Sequence, residues 1–349
     1  MISGQAMHIE VVVSDNINAP CVDFIRSMPG ARLCHLPAWT KMVENIFGHK
    51  GHYLVARNNG VICGVLPLSH VRSRLFGSHF VSQPFSDYGG LLAAGPAVSQ
   101  VLYEHAVELA KQYKCDYIEF RNTVAMPQEL HLRTDNICMH LPLASDPEVV
   151  WKELGPQIRD RIRGAEKSGI HVINGHCEML DDFYRLWTIR MRELGTPCYS
   201  RGLFQGIMKR FKDNSRIFLA LSGDKVAAAF FVYTFNGCVH SRWGAALREY
   251  DSLSPNYLLN WSAIEYYCRS GMKWFDFGRS TVGSGQHTFK KRWGASPVPL
   301  NWQYWIRPGR ELNLAKPDAP KYRRKTEIWK KIPLTVTRII GPHISCSLP

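Results

Sequence analysis

Two rhythms of apolar residues alternate along this chain. Tyr53 to Val71 and Ile217 to Phe235 are runs of β-branched, aromatic and aliphatic residues, each broken once by a polar turn containing glycine. That pattern predicts a β-hairpin at each place. Other stretches repeat apolar residues every three to four positions, the spacing of an amphipathic helix. Leu180, Phe183, Tyr184, Trp187, Met191 and Leu194 predict one helical face, closed by Gly195. Tyr257, Trp261, Ile264 and Cys268 predict a second, in a helix that starts at Ser254 and Pro255. Both aromatic stripes read as core. Asp146 and Pro147 suit a helix cap and first position, and Pro156 opens a helix that reaches Ser168, with Gly169 at its end.

The hairpins belong to a longer repeat. Each is followed by a helix-like stretch and a short aromatic strand, Asp116 to Asn122 in the first half and Lys273 to Arg279 in the second. The hairpins lie 164 residues apart and the aromatic strands 157 apart. Agreement of two elements in order and spacing predicts a tandem pair of units. The joint is expected within Leu141 to Pro147, giving domains over 1–145 and 146–305 and a tail over 306–349. The expected class is α/β with mixed sheets.

Composition narrows the options. Of 349 residues, 45% are hydrophobic and 21% charged, which excludes wholesale disorder and a coiled coil. Lys plus Arg total 43 against 29 acidic residues, and a net charge of +14 points to a polyanionic partner. The tail concentrates that excess: ten basic residues against three acidic ones give +7 in 44 residues. Ile328, Trp329, Ile332 and Leu334 are interspersed there, which reads either as a membrane-surface anchor or as a helix packed on the second domain with a solvated basic face. No run of 18 apolar residues predicts a membrane span, and no signal peptide is read at the start. Ten scattered cysteines without a C-x-x-C pair suit reduced thiols in a cytosol, with no zinc or cluster framework. His49 and His52 have too few companions to argue for a metal.

The signatures of P-loop nucleotidases, zincin proteases, nucleophile-elbow hydrolases and EF-hands are absent. Gly283-Ser284-Gly285 does not open a βαβ unit, so a dinucleotide site is unsupported. Four segments remain as candidates for chemistry. Arg159 and Arg163 lie four residues apart on one helix face with Lys167 a turn further on, suited to phosphate or to a solvated face laced with Arg–Glu pairs. Gly195 to Ser200, with Tyr199 and Ser200, is a polar inter-helix loop or a plain turn. Gly278 to Gly294 leaves a strand end through glycines and reaches Lys290, Lys291 and Arg292. Pro84 to Leu91 sets Asp87 beside Tyr88-Gly89-Gly90, as a turn former or a working carboxylate.

With these residues in view, nearly the whole chain resembles the FemAB family, whose members join two GNAT-type acetyltransferase-like domains. The likeness rests on the repeated hairpins, P-F-S-D-Y-G-G, R-D-R-I-R-G-A-E-K-S-G, L-G-T-P-C-Y-S, L-S-P-N-Y-L-L-N-W, and F-D-F-G-R-S-T followed by T-F-K-K-R-W-G. It is nearest to FemAB-like proteins of bacterial exosortase and exopolysaccharide systems, which share the P-K-Y-R run and the basic tail. The resemblance implies two tandem GNAT-like domains and transfer of an acyl or aminoacyl group to an amine of a cell-envelope acceptor carrying a nucleotide or lipid diphosphate. It implies that Lys290 stabilises the developing oxyanion or the leaving oxygen, and that Asp87 orients the amine or takes its proton. Arg159, Arg163 and Lys167 would hold a diphosphate or an RNA backbone, with Tyr199, Ser200, Arg242, Asn256, Arg279 and Lys291 as further substrate-binding candidates. The implied donor is a co-substrate, aminoacyl-tRNA or acyl-CoA, with no tightly bound cofactor and no metal. A cytoplasmic enzyme with peripheral contact at the inner face of the membrane is expected.

Two departures leave the donor open. The segment R-W-G-A-A-L-R-E-Y-D-S-L-S-P-N lacks the Gln/Arg-x-x-Gly-x-Gly/Ala loop with which ordinary acetyltransferases hold coenzyme A. No stretch sustains the three heptads of a tRNA-binding coiled-coil arm. An acyl-CoA-dependent N-acyltransferase and a non-catalytic basic adaptor are the alternatives.

Overall fold

Both hairpins form, and each seeds a sheet. A computed structural model describes residues 9–14, 17–73, 76–312 and 320–348. Its strands are β1 (Ile9–Ser14), β2 (Lys50–Asn58), β3 (Val61–Ser73), β4 (Gly77–Val81), β5 (Leu92–Ala93), β6 (Tyr117–Asn122), β7 (His131–Arg133), β8 (Asn136–Pro142), β9 (Ile170–Gly175), β10 (Ser215–Ser222), β11 (Lys225–Phe235), β12 (Cys238–Ala246), β13 (Trp274–Thr281), β14 (Ser296–Pro299) and β15 (Asn301–Ile306). Its α-helices are α1 (Ala19–Ser27), α2 (Pro37–Phe47), α3 (Pro96–Gln112), α4 (Pro147–Glu153), α5 (Pro156–Lys167), α6 (Leu180–Leu194), α7 (Arg201–Arg210), α8 (Pro255–Arg269), α9 (Gly285–Arg292), α10 (Pro320–Lys331) and α11 (Leu334–Ser345).

One sheet runs β1-β2-β3-β4-β6-β15-β7, with β5 on β3; the other runs β9-β10-β11-β12-β13-β8-β14. Read this way, the two orders correspond strand for strand. Each contains a parallel pair, β4 with β6 and β12 with β13. Each also follows the chain order strand, two helices, hairpin, strand, helix, strand. The chain is thus an α/β protein of two tandem units with mixed sheets.

The units do not divide where the sequence suggests. The first comprises the chain up to Thr134 together with the segment from Pro299, and the second begins at Asp135. β8, expected in the first domain, pairs with β13, and β15, expected to close the second, pairs with β6. Each unit therefore receives its sixth strand from the chain segment that borders the other half. The tail is not a separate domain either. α10 and α11 pack on α6 in the second unit.

Local chemistry accounts for the helix ends. The Asp146 side chain accepts the Glu148 N–H at 3.0 Å and caps α4, with Pro147 at the first position. Gly195 ends α6 at φ 74°, a left-handed conformation in which a Cβ would also meet Thr326. In the second unit, Phe218, Val232 and Phe275 bury one sheet face against Ile158 and Ile162 of α5 and Leu259 and Ile264 of α8. Against β11 and β12, α6 and α7 present Phe183 and Phe204, which meet Phe231 and Trp243 at centroid distances of 5.3–5.6 Å. Each such pair adds about 0.5–1.5 kcal/mol beyond its burial. Leu194, assigned to this face from its spacing, is exposed in the last turn. In the first unit, Leu102 and Ala106 of α3 pack with Leu54, Leu66, Phe80 and Phe120 of the sheet.

Candidate functional site

The second unit has a built cleft at its parallel strand pair. β12 and β13 pair over three residues, from Cys238 with Trp274 to His240 with Asp276. Beyond those residues no pairing continues, although both strands do. Asp276 fixes the point of separation. Its Oδ2 lies 3.1 Å from Nδ1 of His240 and 3.5 Å from Nε2 of His140, and its Oδ1 accepts the Gly278 N–H at 2.8 Å. Burial opposes its ionisation, yet the hydrogen bonds and charge of His140 and His240 outweigh burial and hold the carboxyl well below the usual carboxylate range. Gly278 adopts φ 74° at the register shift between Asp276 and Arg279, where a Cβ would stand 3.3 Å from the Ser241 carbonyl. Glycine suits this left-handed position.

Lys290 closes the cleft from the other side. The Ser284 side chain accepts the His287 N–H at 3.2 Å and starts α9. From its last turn, Lys290 Nζ donates to the carbonyls of Gly278 at 2.9 Å and Arg279 at 3.0 Å. Two of the three N–H bonds of the ammonium are used this way, and its charge is fixed at the end of β13.

Between these elements lies a cavity of ≈ 420 Å³, within the range of small-molecule sites. Arg190, Arg242, Arg248, Arg279 and Lys290 line it, against one carboxylate, Asp251. Glu193 lies 2.9 Å from Arg190 and 3.4 Å from Arg248 and offsets part of that charge. Phe230, Phe277 and Phe289 form apolar wall, and Asn256, Asn260 and Gln286 supply amides. An anionic group beside an extended, partly apolar chain matches this lining.

Four of the sequence-predicted residues come together here: Lys290, Arg242, Asn256 and Arg279. Arg159, Arg163, Lys167, Tyr199, Ser200 and Lys291 are not in its lining. α5 buries Ile158, Ile162 and Ala165. At about 100° per residue, that turns Arg159, Arg163 and Lys167 away from the core. Arg163 instead sits 4.0 Å from Asp160 and over the Trp151 ring. The same helix gives Arg161 to a different hollow, shared with Arg292 and Tyr257. The Tyr199 carbonyl accepts the Tyr184 hydroxyl at 3.0 Å, and Ser200 precedes α7. Asp87 lies in the first unit, 3% exposed, where its carbonyl accepts Nε1 of Trp302 at 3.0 Å. Arg190, Arg248, Asn260 and Gln286 were missed. Arg190 flanks the aromatic face of α6, and spacing alone gave it no reason to stand out.

Residues 156–291, which hold every residue lining the cavity, match the family model described as "Acetyltransferase (GNAT) domain". No curated protein matches the chain. Among solved structures, FemX is similar with a TM-score of 0.66 and 16% identity, covering 85% of this chain and 97% of its own. A tandem GNAT protein from the clavulanic acid biosynthesis pathway gives a TM-score of 0.54 at 14% identity, covering 88% of this chain and 100% of its own. L-PGS from Bacillus licheniformis gives 0.54 at 13% identity, over 93% and 97%. These likenesses show the fold, that of tandem GNAT proteins. The matched domain makes the chain an acyltransferase, with an acyl donor as co-substrate.

Proposed function

We propose that this chain is a FemAB-type N-acyltransferase that moves an acyl or aminoacyl group onto an amine of a phosphate-bearing cell-envelope or exopolysaccharide-related acceptor. The observation that carries this reading is the cationic cleft where β12 and β13 part, closed by Lys290. In the proposed reaction a neutral amine attacks the donor's ester or thioester carbonyl and a C–N bond forms. The C–O or C–S bond breaks, the leaving oxygen or sulfur takes the electron pair, and the proton given up by the amine ends on that leaving atom. Alignment of two bound substrates supplies about 7–11 kcal/mol of the barrier reduction. The fixed Lys290 ammonium supports the developing oxyanion, a contribution of about 2.7–4 kcal/mol for a well-placed donor.

The entry to α8 favours an aminoacyl ester over acyl-CoA. A diphosphate binds a helix start through free N–H groups and the positive end of the dipole. Here Pro255 removes one donor, Glu249 and Asp251 add negative charge just before it, and no glycine lies between Ala246 and Pro255. The match to an acetyltransferase domain favours acyl-CoA as the second reading. Calorimetric titration with acetyl-CoA separates the two: silence is expected, and micromolar binding would move the assignment to the second. With aminoacyl-tRNA and nucleotide-diphosphate or lipid-diphosphate precursors, Lys290→Ala is expected to lower turnover at least about tenfold while remaining folded. Unchanged turnover would remove Lys290 from the mechanism.

A further inference from the structure

The last helix is turned contrary to ordinary packing. α11 carries Val336, Ile339, Ile340 and Ile344, yet the positions it buries against the second unit are Thr337, Gly341 and Ser345. The buried side is a close seam. A Cβ on Gly341 would lie 3.0 Å from Cys198 Sγ, and the Ser345 hydroxyl donates to the Cys198 carbonyl at 2.9 Å. Ile339, 68% exposed, and Val336 are left outside, while Ile340 and Ile344 are half-buried. α10 also leaves an aliphatic residue outside. Its Trp329 is turned inward at 8% exposure, while Ile328 on the outer side is 53% exposed. Arg323, Arg324 and Lys331 are exposed on the same helix. From Arg323 to Leu348 the chain carries a single acidic residue, Glu327, and Lys330 lies 2.7 Å from it.

From this arrangement we infer that the outer face of α10 and α11 is a docking surface for anionic phospholipid, holding the enzyme at a membrane surface by shallow insertion of Ile328, Val336 and Ile339. The inference is independent of the acceptor and donor assigned above. Exposed aliphatic residues among cations match the two parts of an anionic bilayer interface, acyl chains below and charged headgroups above. A nucleic acid would use the cations but not the aliphatic residues, and it favours aromatic platforms for stacking. Among the described residues of this face the one aromatic, Trp329, is buried. Among the described residues no helix is long and apolar enough to cross a membrane, so contact through this face is interfacial.

The test is co-sedimentation of the full chain with vesicles of phosphatidylcholine and phosphatidylglycerol in about a 2:1 ratio, beside vesicles of phosphatidylcholine alone. Binding at least about tenfold tighter to the anionic vesicles, and weakening as salt shortens the screening length, is expected. Ile328→Asp with Ile339→Asp, both at exposed positions, is expected to lower that binding about tenfold or more with unchanged melting temperature. Arg323→Glu with Arg324→Glu is expected to do the same and to flatten the salt dependence. Equal affinity for both vesicle types overturns the proposal. So does vesicle binding that the double isoleucine variant retains, and so does bulk tRNA displacing the protein from vesicles while that variant binds tRNA as the wild type does.

Discussion

Removing the Asp276 carboxylate tests how the cleft is built. Asp276 is fully buried, and its acceptor sites face His240, His140 and the Gly278 N–H. Asp276→Ala leaves those donors without their acceptor inside the sheet, and breaking a buried pair of this kind costs about 3–5 kcal/mol. At about 2–4 °C per kcal/mol for a unit of this size, melting should fall by about 6–20 °C. Asp276→Asn should lose less, about 1–3 kcal/mol. The amide oxygen still accepts from Gly278, and His240 can meet the amide N–H by moving its own proton to the other ring nitrogen. The pH dependence has a definite sign. Because the folded carboxyl titrates below its unfolded value of about 3.9, the stability it contributes is complete above that value. It is lost only as pH falls through the lower folded value. Scanning calorimetry of wild type and Asp276→Ala from neutral pH downward should therefore show a gap that holds to about pH 4 and then closes. A gap under about 1 kcal/mol would refute the reasoning. So would a gap that closes between about pH 7 and 5, above the range of any carboxylate held below its ordinary value.

Two further outcomes follow from burial and packing. In the first unit, burial lowers the pKa of His35, His70 and His79 to about 4 each. The unfolded chain then binds protons that the folded chain refuses. That unit should lose up to about 1.4 kcal/mol per pH unit per histidine between about pH 6.5 and 4, read as a falling urea midpoint. In the second unit, a Cβ on Gly244 would stand 2.8 Å from the Phe230 ring on the cavity wall. Gly244→Leu should weaken ligand binding about tenfold with an unaltered circular dichroism spectrum, and ligand affinity equal to wild type would show that this wall is not used.

The sequence was most informative where the signal is local. Glycine turns gave both hairpins, Asp146 with Pro147 gave the start of α4, and the aromatic stripe gave α6. It was least informative where a choice is made between distant partners. β8 and β15 are seven- and six-residue strands with no feature naming their neighbour, and their exchange between units moved the expected boundary. Arg159 and Arg163 show the same limit at a site. Four-residue spacing says that two cations share a face, but Ile158 and Ile162 decide which way that face turns. Lys290 and Arg279 stood out because their segment leaves a strand end, where such sheets open, whereas Arg242 was a candidate only through the family resemblance. Arg190 and Arg248 reach the cavity through the tertiary fold.

The duplication explains why the cleft belongs to the second unit's own sheet. In the first sheet the corresponding strands β4 and β6 also pair over three residues, from His79 with Tyr117 to Val81 with Glu119. There the gap is filled by the chain itself. Ser82 donates its N–H to the Glu119 carbonyl at 2.9 Å, Gly90 donates to Arg121 at 3.0 Å, and every residue from Ser82 to Gly90 is buried. Arg121 anchors this plug through Glu119 and the carbonyls of Gln83 and Ser86. Gly90 is required at the contact, because a Cβ would meet the Asn122 side chain at 1.9 Å. Gln83 and Phe85 hold φ of 66° and 61° in the plug, a conformation costly for such residues and kept by the surrounding structure. Asp87 is part of this plug. The same split in a sheet has thus been closed by backbone in one unit, while in the other it is lined by arginines and a fixed lysine. Within the second unit the parted β12 and β13 leave strand edge beside positive charge.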